Sequence, residues 1–157
     1  GPNGLLTLSV PKKGGKSKKA YYQNVEISYD HNWQKDHWNG LQACYRSSPY
    51  FEYYEHRFLP FFSKEHNNLF QYNIDLLNLT LELLSIEIAI DYTEEYQTKP
   101  TGVVDLRHLF KPKHRTTFKP VVEYTQVFQE KIGFIPQVSI LDVLFNWGPS
   151  ASSLLKQ

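Results

Sequence analysis

Methionine is missing from this 157-residue chain, cysteine occurs once, and neither sign of charge prevails, with 17 Lys and Arg against 16 Asp and Glu. Each shortage excludes something. A single thiol, Cys44, cannot build an internal disulfide framework and suits a reducing compartment, so a cytoplasmic protein is expected. A net charge of +1 sets up no bulk field that would seek nucleic acid or a membrane surface. No apolar run approaches the roughly 20 residues of a spanning helix, and no signal-peptide pattern is present. Having no methionine and opening on Gly1-Pro2-Asn3-Gly4, the chain is expected either to have lost an N-terminal portion or to carry a Gly-Pro cloning scar.

What is abundant is aromatic. Phe, Tyr and Trp make up 15% of residues, which points to a densely packed interior or to a surface that stacks on rings. The length reads as a single domain over residues 1–157, long enough to bury roughly 68–70% of the surface its unfolded form exposes.

The richest stretch, residues 30–54, reads DHNWQKDHWNGLQACYRSSPYFEYY. At about 100° per residue, Trp33, His37, Trp38, Leu41, Cys44 and Tyr45 share one arc of a helix, with Lys35, Asp36, Asn39, Gln42 and Arg46 opposite. Gln34 and His37 fall inside the apolar arc, so each must find a buried partner or line an opening where a ligand supplies one. They are the first candidate site residues. Asp30 or Asn32 is expected to cap this helix, and Ser48-Pro49 to start a second one at Pro49. Cys44 lies on the buried arc and reads as a small core residue rather than a nucleophile.

Ahead of this stretch, residues 5–10 form an apolar run ended by Pro11, and Val25, Ile27 and Tyr29 alternate with Glu26 and Ser28, as a half-buried strand does. The two are expected to pair as an antiparallel hairpin. Between them KKGGKSKK, residues 12–19, puts five lysines and two glycines in eight residues. It reads as a cationic loop, either a solvated tip or an anion site, although it lacks phosphate-loop spacing. After a turn at Pro60, residues 64–84 carry the longest helical pattern, with Asn73 the polar exception on its apolar face: a structural hydrogen bond or a ligand contact. Ile86, Ile88 and Ile90 suggest a third strand. Residues 97–120, with three prolines, form a long loop or lid. Within it Asp105, Arg107 and His108 either bind an anion or pair locally. Residues 121–131 read as an amphipathic helix stopped by Gly133, and Ser139 with Asp142 as a capping box opening an apolar helix.

The expected fold is therefore α+β, a small sheet beginning with an antiparallel hairpin and covered by aromatic-rich amphipathic helices. Six histidines form no His-Glu-x-x-His, and Asp30, His31 and His37 would converge only through an unforeseeable turn, so no metal and no cofactor are expected. No Gly-x-Ser-x-Gly elbow is present. The basic residues are confined to loops, so nucleic acid is not an expected partner.

Four blocks carry a resemblance: NGLLTLSVPKKGGK at 3–16, VEISYD followed by Trp33 and His37-Trp38, SPYFEYY at 48–54, and YTQVFQEKIGFIPQVSILDVLFNWGP at 124–149. In order and spacing they resemble the WbqC-like family of bacterial proteins, the last block resembling its Bacteroidetes-type branch. The family takes its name from a protein encoded among surface-polysaccharide genes. The resemblance implies a further N-terminal portion rich in Pro, Tyr, His and Gln. It also implies a role in lipopolysaccharide or O-antigen synthesis, as a transferase that adds an acyl or aminoacyl group to a nucleotide-linked amino sugar. In that setting His37 would be the general base, Gln34, Trp38 and Tyr53 would hold the sugar, and Lys12, Lys13 and Lys16 would attract a diphosphate. Asn73 and Arg107 complete the candidate contacts. The competing class is a non-catalytic binding or scaffold module whose aromatics are simply its core.

Overall fold

The computed structural model describes residues 1–14, 21–107, 122–136 and 138–155. Its helices are α1 (Trp33–Tyr45), α2 (Phe51–Ser63), α3 (Leu69–Leu83), the single turn α4 (Gln129–Ile132), α5 (Ile140–Trp147) and the short α6 (Ala151–Leu155). Local chemistry fixes the starts of three of them. The Asn32 side chain accepts from the Lys35 amide and the Asn68 side chain from the Gln71 amide, so α1 and α3 each start where an Asn satisfies a free N–H. Ser139 accepts from the Leu141 amide at the start of α5.

Elsewhere the ends depart from expectation. Ser48 does not cap a helix at Pro49; its hydroxyl donates back to the Tyr45 carbonyl at 2.6 Å, and α2 begins at Phe51. Pro60 does not turn the chain. It lies in the last turn of α2, where the carbonyl that loses its partner belongs to exposed His56 and is free to meet water.

The expected α+β fold with a small sheet is not what forms. Among the described residues there is no strand and no sheet, and the architecture is helical. Extended segments meet at two isolated antiparallel bridges, Lys12 with Ile27 and Glu26 with Asn68. Residues 25–28 are clasped between the 11–13 and 67–69 segments by bonds such as Ser28 N–H to the Pro11 carbonyl at 2.9 Å and Ile27 N–H to the Asn67 carbonyl at 3.0 Å. The apolar run expected to form the first strand instead crosses α1, where Leu6 and Leu8 rest over Gly40. Ile86, Ile88 and Ile90 belong to no strand.

The helix expected over 121–131 is also not formed. Residues 122–126 are extended, Tyr124 and Gln126 turn inward while Glu123 and Thr125 face out, and only Gln129–Ile132 is helical before Gly133, whose φ of +75° ends the turn. Val121 and most of the expected lid, residues 108–120 with His108, lie outside the described residues, as does Lys16.

The core sits where α1, α2 and α5 meet. Phe51, Phe58, Leu144 and Phe145 are almost completely buried, and Phe145 packs its ring against those of Tyr45, Phe51 and Phe58 at 5.2, 5.2 and 5.6 Å. Such ring pairs contribute about 0.5–1.5 kcal/mol each beyond their area. A smaller cluster of Ile27, Trp33 and Tyr72 fastens α3 beneath the start of α1.

Candidate functional site

Positions 37, 40, 41, 44 and 45 recur at helical steps and form one face of α1. At its C-terminal end this face meets α5, where Tyr45 packs on Phe145, and the rest of it faces open space. It borders a cavity of about 420 Å³, within the range of small-molecule sites. Leu5, Leu6 and Leu8 of the extended N-terminal segment roof it, Tyr72 and Leu76 of α3 form its floor, and residues from Gln126 to Asp142 close the far side. Gly40 permits the close roof, since a Cβ there would stand 2.9 Å from a Leu6 methyl.

Two polar stations interrupt this apolar wall. His37 is 8% exposed, its ring set edge-on to Trp33 at 5.0 Å. Its Nε2 lies 3.2 Å from the Ser9 carbonyl. A carbonyl only accepts, so Nε2 carries the proton of the neutral ring and Nδ1 keeps its lone pair. Burial pushes the imidazole below its ordinary value against the weaker opposing pull of the Ser9 carbonyl and Asp36, which favours the neutral, proton-accepting form.

The other station is Asp142. In a capping box its carboxylate would reach back to Ser139; here it is 7% exposed and points inward. Tyr124 donates to its Oδ2 at 2.7 Å and Gln126 Nε2 at 3.1 Å. The Gln126 amide is itself pinned, its Oε1 accepting from Ile135 N–H and its Nε2 donating to the Ile135 carbonyl, both at 2.9 Å. Burial raises the Tyr124 phenol, aided by its bond to Asp142, and burial likewise raises Tyr45, followed by the charge of Asp142 and a hydrogen bond to it. Both phenols therefore stay protonated and act as donors. Eight residues of α1 separate His37 from Tyr45, about 12 Å of helix rise, so the two stations read opposite ends of an occupant rather than one atom.

Of the candidate residues, His37 and Asn73 line this cavity, and Asn73 also donates to the Tyr22 hydroxyl at 2.6 Å. The others stand elsewhere. Gln34 donates to the Phe61 and Lys64 carbonyls at 3.0 and 2.6 Å, tying α1 to the end of α2. Trp38 is half-buried between Phe51 and Phe62. Tyr53 is 66% exposed. Lys12 takes part in the bridge to Ile27, and Lys13 pairs with Glu26 at 2.9 Å. Arg107 pairs with Asp105 at 2.7 Å and lies over the Tyr96 ring. Sequence reasoning did not single out Asp142, Tyr124, Gln126 or Tyr45 as site residues. The available signal was the alternation of Tyr124 and Gln126 about Thr125, which suits an extended strip with both polar tips inward.

Among the described residues, no three His, Cys, Asp or Glu side chains gather as a metal site would require, and no helix is long and apolar enough to cross a membrane. A shallower depression of about 710 Å³ on the other side of Gln126 and Val127 is lined by polar groups including Ser47, Thr125, Gln129 and Asn146.

Comparison with known proteins places these features in a family. Uncharacterized protein Rv1507c of Mycobacterium tuberculosis is 31% identical over 180 aligned positions, covering 98% of this chain and 77% of that protein. No solved structure matches. The WbqC-like protein family matches residues 1–114, which include the roof, the α1 face and the α3 floor of the cavity, and the chain belongs to that family.

Proposed function

We propose that the protein binds a nucleotide-linked sugar, or the donor that modifies it, with an acyl-type group housed in the α1 cavity. In this reading it transfers that group in surface-polysaccharide synthesis in the cytoplasm. The carrying observation is the cavity of about 420 Å³, walled by leucines and bordered by a neutral imidazole. An apolar group gains by leaving water for such walls. His37, bonded through Nε2 to Ser9, has Nδ1 free to accept a proton from an attacking amine or hydroxyl. The ~12 Å of helix rise between His37 and Tyr45, the α1 residue beside Asp142, favours a second reading, in which both stations only bind and the protein is a non-catalytic module of a synthesis complex.

A thermal-shift panel of nucleotide sugars with and without acyl groups, together with acyl donors, tests this. A member present at 100 times its dissociation constant should stabilise by about 2.7 kcal/mol. Silence across the panel would refute the reading. With a stabilising pair found, His37→Gln is expected to keep the fold and the binding and to abolish transfer; unchanged transfer would remove His37 from the chemistry, and absence of transfer in the wild-type protein would favour the binding module.

A further inference from the structure

Among the described side chains that line the cavity, Asp142 is the one acidic group, none is a lysine or arginine, and burial favours the neutral form of His37. The terminal ammonium of Gly1 also lines the cavity, but it donates to the Gly4 carbonyl at 2.8 Å, and Asp142 forms no ion pair among the described residues. The two donors bonded to Asp142 are neutral, a phenol from Tyr124 and an amide from Gln126, and the phenol beside it, Tyr45, is neutral too. They spread the carboxylate's charge without cancelling it. A carboxylate offers about four lone-pair positions, and both hydrogen bonds fall on Oδ2, which leaves Oδ1 able to accept from a ligand. A buried carboxylate without an ion-pair partner is costly unless that partner arrives with the ligand.

We propose that the ligand presents a protonated primary amine to Asp142, with an apolar body extending along α1 toward His37. The inference rests on the proposed function and narrows it, from any acyl group to an aminoacyl-type group whose ammonium is the part recognised. An ammonium supplies both the missing positive charge and a donor for the open lone pair, and a charge-assisted bond of this kind is stronger than one from a hydroxyl.

Three probes of equal chain length, n-hexylamine, n-hexanol and hexanoate, titrated into the full chain by ligand-observed NMR, separate the possibilities. Hexylamine is expected to bind at least about tenfold more tightly than hexanol, with hexanoate weakest. Hexanol should displace hexylamine, which places both in one cavity. Asp142→Asn should bring hexylamine down to the level of hexanol; if that variant does not fold, the wild-type ranking alone decides. Equal binding of amine and alcohol, preference for hexanoate, or failure of hexanol to compete would overturn the amine proposal while leaving an apolar pocket in place. Absence of binding by all three would overturn the pocket as well.

Discussion

On one side of α1 the rings of Trp38, Phe51, Phe58 and Phe145 interlock with little space between them; on the other, leucines from an extended segment roof a cavity of about 420 Å³. One helix serves both regions. The difference lies in what faces it. α2 and α5 present regular faces whose aromatic side chains fill the gaps that helices leave between them, whereas the segment over residues 5–10 offers leucines and backbone that bridge a gap without filling it. Polar groups divide the same way. Those turned toward helix ends, such as Gln34 on the Phe61 and Lys64 carbonyls, serve as fasteners, while His37 and Asp142 border open space. Tyr45 belongs to both regions, its ring on Phe145 and its hydroxyl beside Asp142.

The contrast can be broken by mutation, most forcibly in the closed region. Phe145→Ala removes a ring that three others contact and should cost about 4 kcal/mol in urea denaturation; a loss under about 1 kcal/mol would mean that the rings do not interlock. Leu41→Ala, beside space that already exists, removes fewer contacts and should cost about 2 kcal/mol. Two glycines sharpen the comparison further. At Gly148, φ is +55° and a Cβ would lie 2.5 Å from the Tyr50 ring, which is held in place by packing on the core. Gly148→Ala should therefore destabilise by about 2 kcal/mol. At Gly40 the obstacle is only the tip of Leu6, and helix propensity favours alanine, so Gly40→Ala should stay within about 0.5 kcal/mol of wild type. Equal losses at the two glycines would show the roof to be as rigid as the core.

The smallest effect is a dependence on pH. Burial holds His37 below its ordinary value of 6.5, so in acid the unfolded chain binds more protons than the native one. Its contribution is complete above about 6.5 and is lost as pH falls from there toward the lowered native value. Urea midpoints measured at pH 7.5 and 5.5 should fall less in His37→Gln than in wild type; equal falls would place the imidazole in water.

The start of α1 was legible in the sequence: Asp30 or Asn32 is expected to cap it and Asn32 does, and the wheel that gathers His37, Leu41 and Cys44 on one face describes the cavity wall. The start of α3 was not, since the helical pattern over 64–84 runs ahead of Asn68, whose side chain caps a helix that begins at Leu69. What could not be read was decided at long range. Residues 5–10 cross α1 instead of pairing with 25–29, and the contacts that seat them, such as Leu6 over Gly40, lie more than thirty positions away. The spacing of Tyr124, Val127, Phe128 and Lys131 fits a helix, yet pairing Tyr124 and Gln126 with Asp142 requires an extended strip, and that network prevails. Asp142 was visible as the acid of a capping box, but its inward turn depends on partners that only the fold assembles.

The central claim is that the open side of α1 receives the apolar part of a ligand. Methyl NMR of the protein titrated with the acyl-bearing nucleotide sugar that gives the largest thermal shift tests it most directly. The account predicts that the largest perturbations fall on Leu6, Leu41, Leu76 and Leu141 around the cavity. Perturbations centred on Lys12, Lys13 and Tyr53, with those leucines unchanged, would contradict it.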